Sequence, residues 1–207
     1  MAPEIEVFAD VACPFTHVGL RRFVERRDAD PALAEVRLRV RSWPLEIVNG
    51  EPLDPQFIAD EVDEIREQVA SDLFRAFDPA AFPATSLPAM ALAAAGYAVD
   101  VATGEAISLE LRDLLFEQGR DISDPDVLRR VAHRHGLDID LDDPPVDLVL
   151  ADHAEGKERG VQGSPHFFTP AGSFFCPSLD ISRDAAGHLR ITADPVGFGQ
   201  FLDSCFA

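Results

Sequence analysis

The spacing of apolar positions changes along the chain and marks out its elements. Ile5, Val7 and Phe8 form a short apolar strand, and Leu20, Phe23 and Val24 then recur at i, i+3, i+4, so strand gives way to helix near Cys13. From Glu35 to Arg41, Val36, Leu38 and Val40 alternate with arginines at period two, which predicts a strand with one buried face and one wet or ion-paired face. Strand, helix and strand make a βαβ unit with parallel strands and a right-handed connection. From Pro52 to about Arg159 the pattern is helical. Pro55 to Phe77 carries Phe57, Ile58, Val62, Ile65, Val69, Leu73 and Phe74 at three- and four-residue intervals. Ser86-Leu87-Pro88 opens an Ala-rich helix running to Ala102, and Gly104 separates it from a helix through Phe116 that Gly119 closes. Ser123-Asp124-Pro125-Asp126 opens another, which stops near Gly136, and Pro144-Pro145 begins the last of the group. Strand patterns resume at His166 to Thr169 and Ser173 to Cys176 around a Pro170-Ala171-Gly172 turn, and Pro195 to Phe206 closes the chain as a helix.

The order βαβ, helices, ββα predicts an α/β fold in which residues 1–51 and 160–207 form a sheet domain and residues 52–159 an all-helical insertion. At 207 residues with 46% hydrophobic content the chain can bury a substantial core. Its net charge of −19, from 37 acidic and 18 basic residues, would repel nucleic acid and anionic membranes, so neither is an expected partner. Met1-Ala2-Pro3-Glu4 leads into the first strand with no basic and apolar leader pattern, and no apolar run approaches a membrane span, so a cytoplasmic location is expected. In such a reducing setting three cysteines do not form a permanent disulfide framework, and each needs its own explanation.

Cys13 carries the first candidate chemistry. Pro14 suits the first helical turn, which places Cys13 at or beside a helix N-cap. Unpaired amides and the positive end of the helix dipole there favour a thiolate, so Cys13 is expected to titrate below the ~8.5 of a free thiol. The competing reading is a small buried apolar residue at a strand end. Far downstream, Gly160-Val161-Gln162-Gly163-Ser164-Pro165-His166-Phe167-Phe168-Thr169 places a proline at the start of an apolar strand, and the Ser164–Pro165 bond is expected to be cis and close to Cys13.

Asp10-x-x-Cys13-Pro14-Phe15 at the strand-to-helix junction, with Gly160 to Phe168 late in the chain, resembles the DsbA-like thioredoxin-fold proteins, and most closely their FrnE-like branch. Asp78-Pro79, Phe82-Pro83-Ala84-Thr85-Ser86-Leu87-Pro88-Ala89 and Phe116-Glu117-Gln118-Gly119-Arg120-Asp121-Ile122-Ser123 resemble that branch's inserted helical region, so the resemblance covers nearly the whole chain. It implies a thioredoxin fold and a thiol-dependent oxidoreductase. Cys13 would be the nucleophile, Pro14 and Phe15 would tune its surroundings, Thr16 would hydrogen-bond the thiolate, and Ser164 with Pro165 would shape the substrate groove. Redox-active members carry C-x-x-C, whereas the fourth position here is Thr16, so a local resolving thiol is absent. A mixed disulfide would need an external thiol such as glutathione, or a distant protein thiol, and no covalently bound cofactor is expected. The related kappa-class glutathione transferases and 2-hydroxychromene-2-carboxylate isomerases, which have Ser-Pro in place of Cys13-Pro14 and use glutathione, supply the alternative reading. An inert binding module on the same fold is a third. The expected partner is a small thiol or disulfide substrate, with a homodimer left open.

Other residues are weighed against plain structural roles. His17, one turn after Cys13, would stabilise a thiolate if protonated, or is a polar residue on the rim of the helical cap. His166 follows Pro165 and either faces the site or packs. Trp43 is core packing or groove lining. Cys176 is a buried strand residue or a resolving thiol for Cys13, and Cys205 is core. His133 and His135 lie two apart and cannot share a metal as an i, i+4 pair would, and His153 has no evident partner. No metal site is expected.

Overall fold

The computed structural model describes residues 4–183 and 189–205. Strand β1 (Glu4–Ala9) leads through α1 (Pro14–Asp28) to β2 (Arg37–Ser42), which pairs with β1 in parallel, Ile5 opposite Leu38 and Val7 opposite Val40. Six helices follow: α2 (Leu45–Asn49), α3 (Pro55–Gln68), α4 (Leu87–Val99), α5 (Val101–Phe116), α6 (Pro125–Arg134) and α7 (Val146–Glu158). Strand β3 (His166–Thr169) then pairs antiparallel with the other side of β1, and β4 (Gly172–Phe175) antiparallel with β3, giving the sheet order β2-β1-β3-β4. A separate hairpin of β5 (Leu179–Arg183) and β6 (Leu189–Ala193) precedes the closing helix α8 (Pro195–Cys205). This is the expected thioredoxin topology, with the helices inserted between β2 and β3.

Strand alternation divides the sheet into two unlike faces. Ile5, Val7, Leu38, Val40 and Phe167 pack with Leu20 and Phe23 of α1 and Phe201 and Cys205 of α8. On the other face Arg41 bonds Glu6, Asp152 and Glu155, while the Arg159 guanidinium lies 4.1 Å from the centre of the Phe168 ring. The arginines of β2 are therefore the ion-paired face that their alternation indicated. The outer edge of β2 is closed by side chains. Glu105 accepts from the Leu38 amide (2.7 Å), Tyr97 from the Val40 amide (2.9 Å) and Asp152 from the Ser42 amide (2.9 Å). An edge blocked in this way offers no ladder to another chain. The helices bury a second cluster, including Ile58, Val62, Leu92, Ile107, Leu111 and Phe116, which also takes in Val11, Ala12 and Val18 beside Cys13. The helical segment thus closes over the end of β1 where α1 begins.

Several boundaries differ from the sequence reading. The helix expected over 55–77 stops at Gln68, where Val69 leaves helical backbone (φ −142°, ψ −18°), and further on Phe74 takes a left-handed backbone (φ 59°) and turns its amide to Glu117 (2.7 Å). Gly104 does not separate two helices. Asp100 makes that break, its carboxylate capping α5 through the Thr103 amide (2.9 Å). Gly104 lies inside α5, where a Cβ would sit 2.2 Å from the Tyr97 ring. The short helix α2 and the β5–β6 hairpin lack a long enough periodic run to stand out in the sequence. Cys176 falls just beyond β4, with a positive φ of 45°, rather than within a strand. Phe206, expected in the closing helix, lies outside the described residues.

Candidate active site at the start of the first helix

Cys13 is the N-cap of α1, in extended backbone (φ −83°, ψ 118°), with Pro14 entering the first turn. Its side chain makes no cap bond and is 3% exposed. The thiol instead faces the late loop, its Sγ 3.3 Å from the carbonyl oxygen of Ser164. The Ser164–Pro165 peptide bond is cis, and Pro165 lies against α1, where a Cβ on Gly19 would be 3.8 Å from the proline ring. The Thr16 hydroxyl, fully buried one turn along, sits 2.8 Å from the Ser164 hydroxyl, which accepts from the Asp10 amide (2.9 Å). Cys13, Thr16, Ser164 and Pro165 therefore meet although about 150 residues separate the two stretches. Pro14 is buried here and Phe15 packs toward the helical cluster.

The thiol does not titrate below the ordinary value in this resting structure. Burial pushes its pKa up, outweighing the Thr16 side chain and amide and Ser164, which pull it down, while the charge of Asp10 adds to the rise. A solvated helix N-terminus would lower the pKa, but here the inserted helices pack over Val11, Ala12 and Val18 and keep water from it.

Asp10 organises the loop beneath the thiol. Its carboxylate accepts from the Ala12 amide (2.8 Å), the Leu45 amide (2.7 Å) and the Ser86 hydroxyl (3.3 Å), joining β1, α2 and the start of α4. Burial raises its pKa against the pull of the two amides and of Arg112. Arg112 of α5, also buried, bonds the Asp10 carbonyl (3.1 Å) and the Ser108 carbonyl (2.9 Å) and hydroxyl (2.7 Å), leaving its Nε without a partner. Nothing in the sequence marked Arg112, which appears there as one of several charged residues in its helix, beside Glu110 and Asp113.

His17 is turned to another partner. Its Nε2 lies 2.8 Å from a Glu117 oxygen, and its ring packs between Phe74 and Phe116. Burial lowers its pKa despite that carboxylate. Glu117, pushed up by burial but held down by His17 and the amides of Phe74 and Arg75, ends at about 2. Both shifts make acid destabilising. Below about pH 6.5 the unfolded chain protonates this histidine and the folded chain does not, and below about 4.5 the same holds for Glu117. We expect the urea midpoint to fall between pH 7 and pH 5, less steeply in His17→Gln, which keeps a donor for Glu117 but does not titrate. Equal slopes in the two proteins would refute this account.

His166 is 3% exposed, accepts from the Gln162 amide at Nδ1 (3.0 Å) and stacks on Phe168, so it braces the loop leading to Pro165. Trp43 packs on His153, with ring centres 4.9 Å apart, which gives that histidine the partner the sequence could not name. His135 bonds Glu110 (2.7 Å) and ties α6 to α5. Cys176 donates its amide to the Pro165 carbonyl (3.0 Å), but burial pushes its thiol up to about 12, a poor starting point for a resolving nucleophile. All three cysteines are free. Beside Cys176 a cavity of about 580 Å³ opens between β4 and the β5–β6 hairpin, and Phe175, 50% exposed, lies between it and Gly163. Among the described residues no helix is long and apolar enough to cross a membrane.

Comparison with solved structures places this geometry. A probable DsbA oxidoreductase from Streptomyces coelicolor shares 23% identity over 80% of this chain and 79% of its own, with a TM-score of 0.57. The cytosolic disulfide reductase DsbM from Pseudomonas aeruginosa shares 15% over 98% of this chain and 95% of its own, at 0.59. A 2-hydroxychromene-2-carboxylate isomerase shares 16% over 83% of this chain and 88% of its own, also at 0.59. These likenesses establish the fold. No curated protein sequence matches the chain. The DSBA-like thioredoxin domain family matches residues 4–184, a span that includes both the Cys13 turn and the Pro165 loop, and the chain belongs to that family.

Proposed function

We propose that this protein is a thiol-dependent oxidoreductase with Cys13 as its single reactive thiol, working with glutathione or an equivalent small thiol in the cytoplasm. The observation that carries the reading is the seating of Cys13 at the N-cap of α1 against the Ser164–Pro165 loop. Because the Ser164 hydroxyl accepts from the Asp10 amide, its own proton can go to Thr16, which frees the Thr16 hydroxyl to donate to the sulfur. In the reaction the Cys13 thiolate attacks one sulfur of a small disulfide, forming a mixed disulfide and expelling the other half as a thiolate. A second small thiol, as its thiolate, then attacks the mixed disulfide, returning Cys13 as thiolate and releasing a symmetrical or mixed small disulfide. Opening of the cover over Cys13 accompanies the first step, since the resting thiol is buried. The Pseudomonas disulfide reductase among the structural neighbours has been solved with GSH, which fits a site of this kind.

The test is incubation with oxidised glutathione followed by intact-mass and peptide analysis. A glutathione adduct on Cys13 that reduced glutathione removes is the expected result. A stable non-covalent complex with reduced glutathione and no adduct would instead place the protein with the transferases and isomerases. Replacing Thr16 by Cys should add an internal resolving thiol one turn from Cys13 and raise insulin reduction at least about tenfold, given the high effective concentration of an intramolecular group. No gain would argue that the site serves something other than disulfide exchange.

A further inference from the structure

We infer that Arg112 is a positioning residue for Cys13, a buried cation that keeps the thiolate accessible beneath a cover that otherwise disfavours charge. The inference rests on the reading of Cys13 as the reactive thiol. The link is short: the Asp10 carbonyl accepts from the Cys13 amide (3.5 Å) and from the Arg112 guanidinium (3.1 Å), so one oxygen joins the cation to the N-cap turn. The guanidinium is fixed one helical turn back by the Ser108 carbonyl and hydroxyl, and so cannot swing away.

Val11, Val40 and Met90 share the small gap beside Arg112 with Arg41, Ser42 and Ser108, and the Arg112 Nε is left without a partner. A buried guanidinium gives up strong hydration, a loss that an apolar side chain of similar volume would not incur. Burial lowers the Arg112 pKa to about 10, so it remains a cation at neutral pH, with Tyr97, Asp10, Cys13 and Asp113 as the titratable groups around it. Around Cys13 the charged group is Asp10, whose carboxylate opposes a thiolate, and Cys176 lies within electrostatic reach. Arg112 acts against both the cover and Asp10, because an opposite charge favours the ionised thiol, while burial still sets the net direction.

Iodoacetamide alkylation at pH 8, followed at the Cys13 peptide with the Cys205 peptide as internal reference, separates charge from structure. Arg112→Gln keeps hydrogen-bond donors without the charge, and Arg112→Lys keeps the charge. The Cys13 rate should fall about tenfold in Arg112→Gln, the effect of about one pH unit in thiol pKa, and stay within about threefold of the parent in Arg112→Lys. Loosening of the pocket would act in the opposite sense, exposing the sulfur and speeding alkylation. If Arg112→Gln does not fold, Arg112→Met, which fills the volume without a charge, takes its place with the same expectation. A neutral variant that reacts as fast as the parent or faster, or a lysine variant as slow as the neutral one, overturns the inference. The reading of the protein as a disulfide-exchange enzyme fails separately: no glutathione adduct in the parent, with the rate order still in place, would remove that reading and leave the role of Arg112 intact.

Discussion

Replacing Cys13 by serine is expected to remove the adduct with oxidised glutathione altogether while leaving the fold unchanged. Only a thiolate attacks a disulfide sulfur at useful rates, and a serine hydroxyl does not ionise in the accessible pH range. Serine nevertheless suits the position structurally. Its hydroxyl is a favoured N-cap group and can donate to the Ser164 carbonyl that the Cys13 thiol now faces at 3.3 Å. Thermal unfolding should therefore match the parent within a few degrees. Serine at Cys176 or Cys205 should leave the adduct in place, since burial holds both thiols at about 12. An adduct that survives in Cys13→Ser and disappears in Cys176→Ser would move the reactive thiol to the cavity beside β4 and end the assignment to Cys13.

Asp10→Asn is expected to have the largest effect on stability of any single-atom exchange at the site. The Asp10 carboxylate accepts at both oxygens, from the Ala12 amide at one and from the Leu45 amide and Ser86 hydroxyl at the other. An asparagine offers one acceptor, and its NH₂ must point at one of the two amides, donor against donor. Leaving one buried amide unpaired costs about 1–3 kcal/mol, and each kcal/mol lowers the melting temperature of a chain of this size by about 2–4 °C. The melting temperature should thus drop by about 2–12 °C. The Cys13 alkylation rate should rise rather than fall, because the opposing charge is gone and the N-cap turn is looser. An unchanged melting temperature would refute the account of Asp10 as an acceptor needed at both oxygens.

The sequence alone determined where the chain changes from strand to helix at Cys13, the arginine-lined face of β2, the helical stretch between the two sheet halves and the proline that opens β3. These follow from local causes: side-chain period, a proline in the first helical turn, and glycines where φ is positive, as at Gly136 (69°) and Gly160 (73°). The pairing of Cys13 and Thr16 with Ser164 and Pro165 was legible through the resemblance to a known family, since spacing carries no information across about 150 residues. The tertiary structure decided the rest. Only the cover laid by the helices sets the solvation of Cys13, and it reverses the direction of the thiol pKa that an isolated helix end would give. His17 faces Glu117 rather than the thiol because the end of α5 brings that carboxylate and the Phe116 ring to that side of α1, and the segment after α3 adds the Phe74 ring. Gly104 is needed for contact with Tyr97, not for a turn, and Arg112 is one of several charges along α5 until the end of β1 places the Asp10 carbonyl beside it. Burial and charge depend on which surfaces meet, and that is a property of the whole packed chain rather than of any stretch of it.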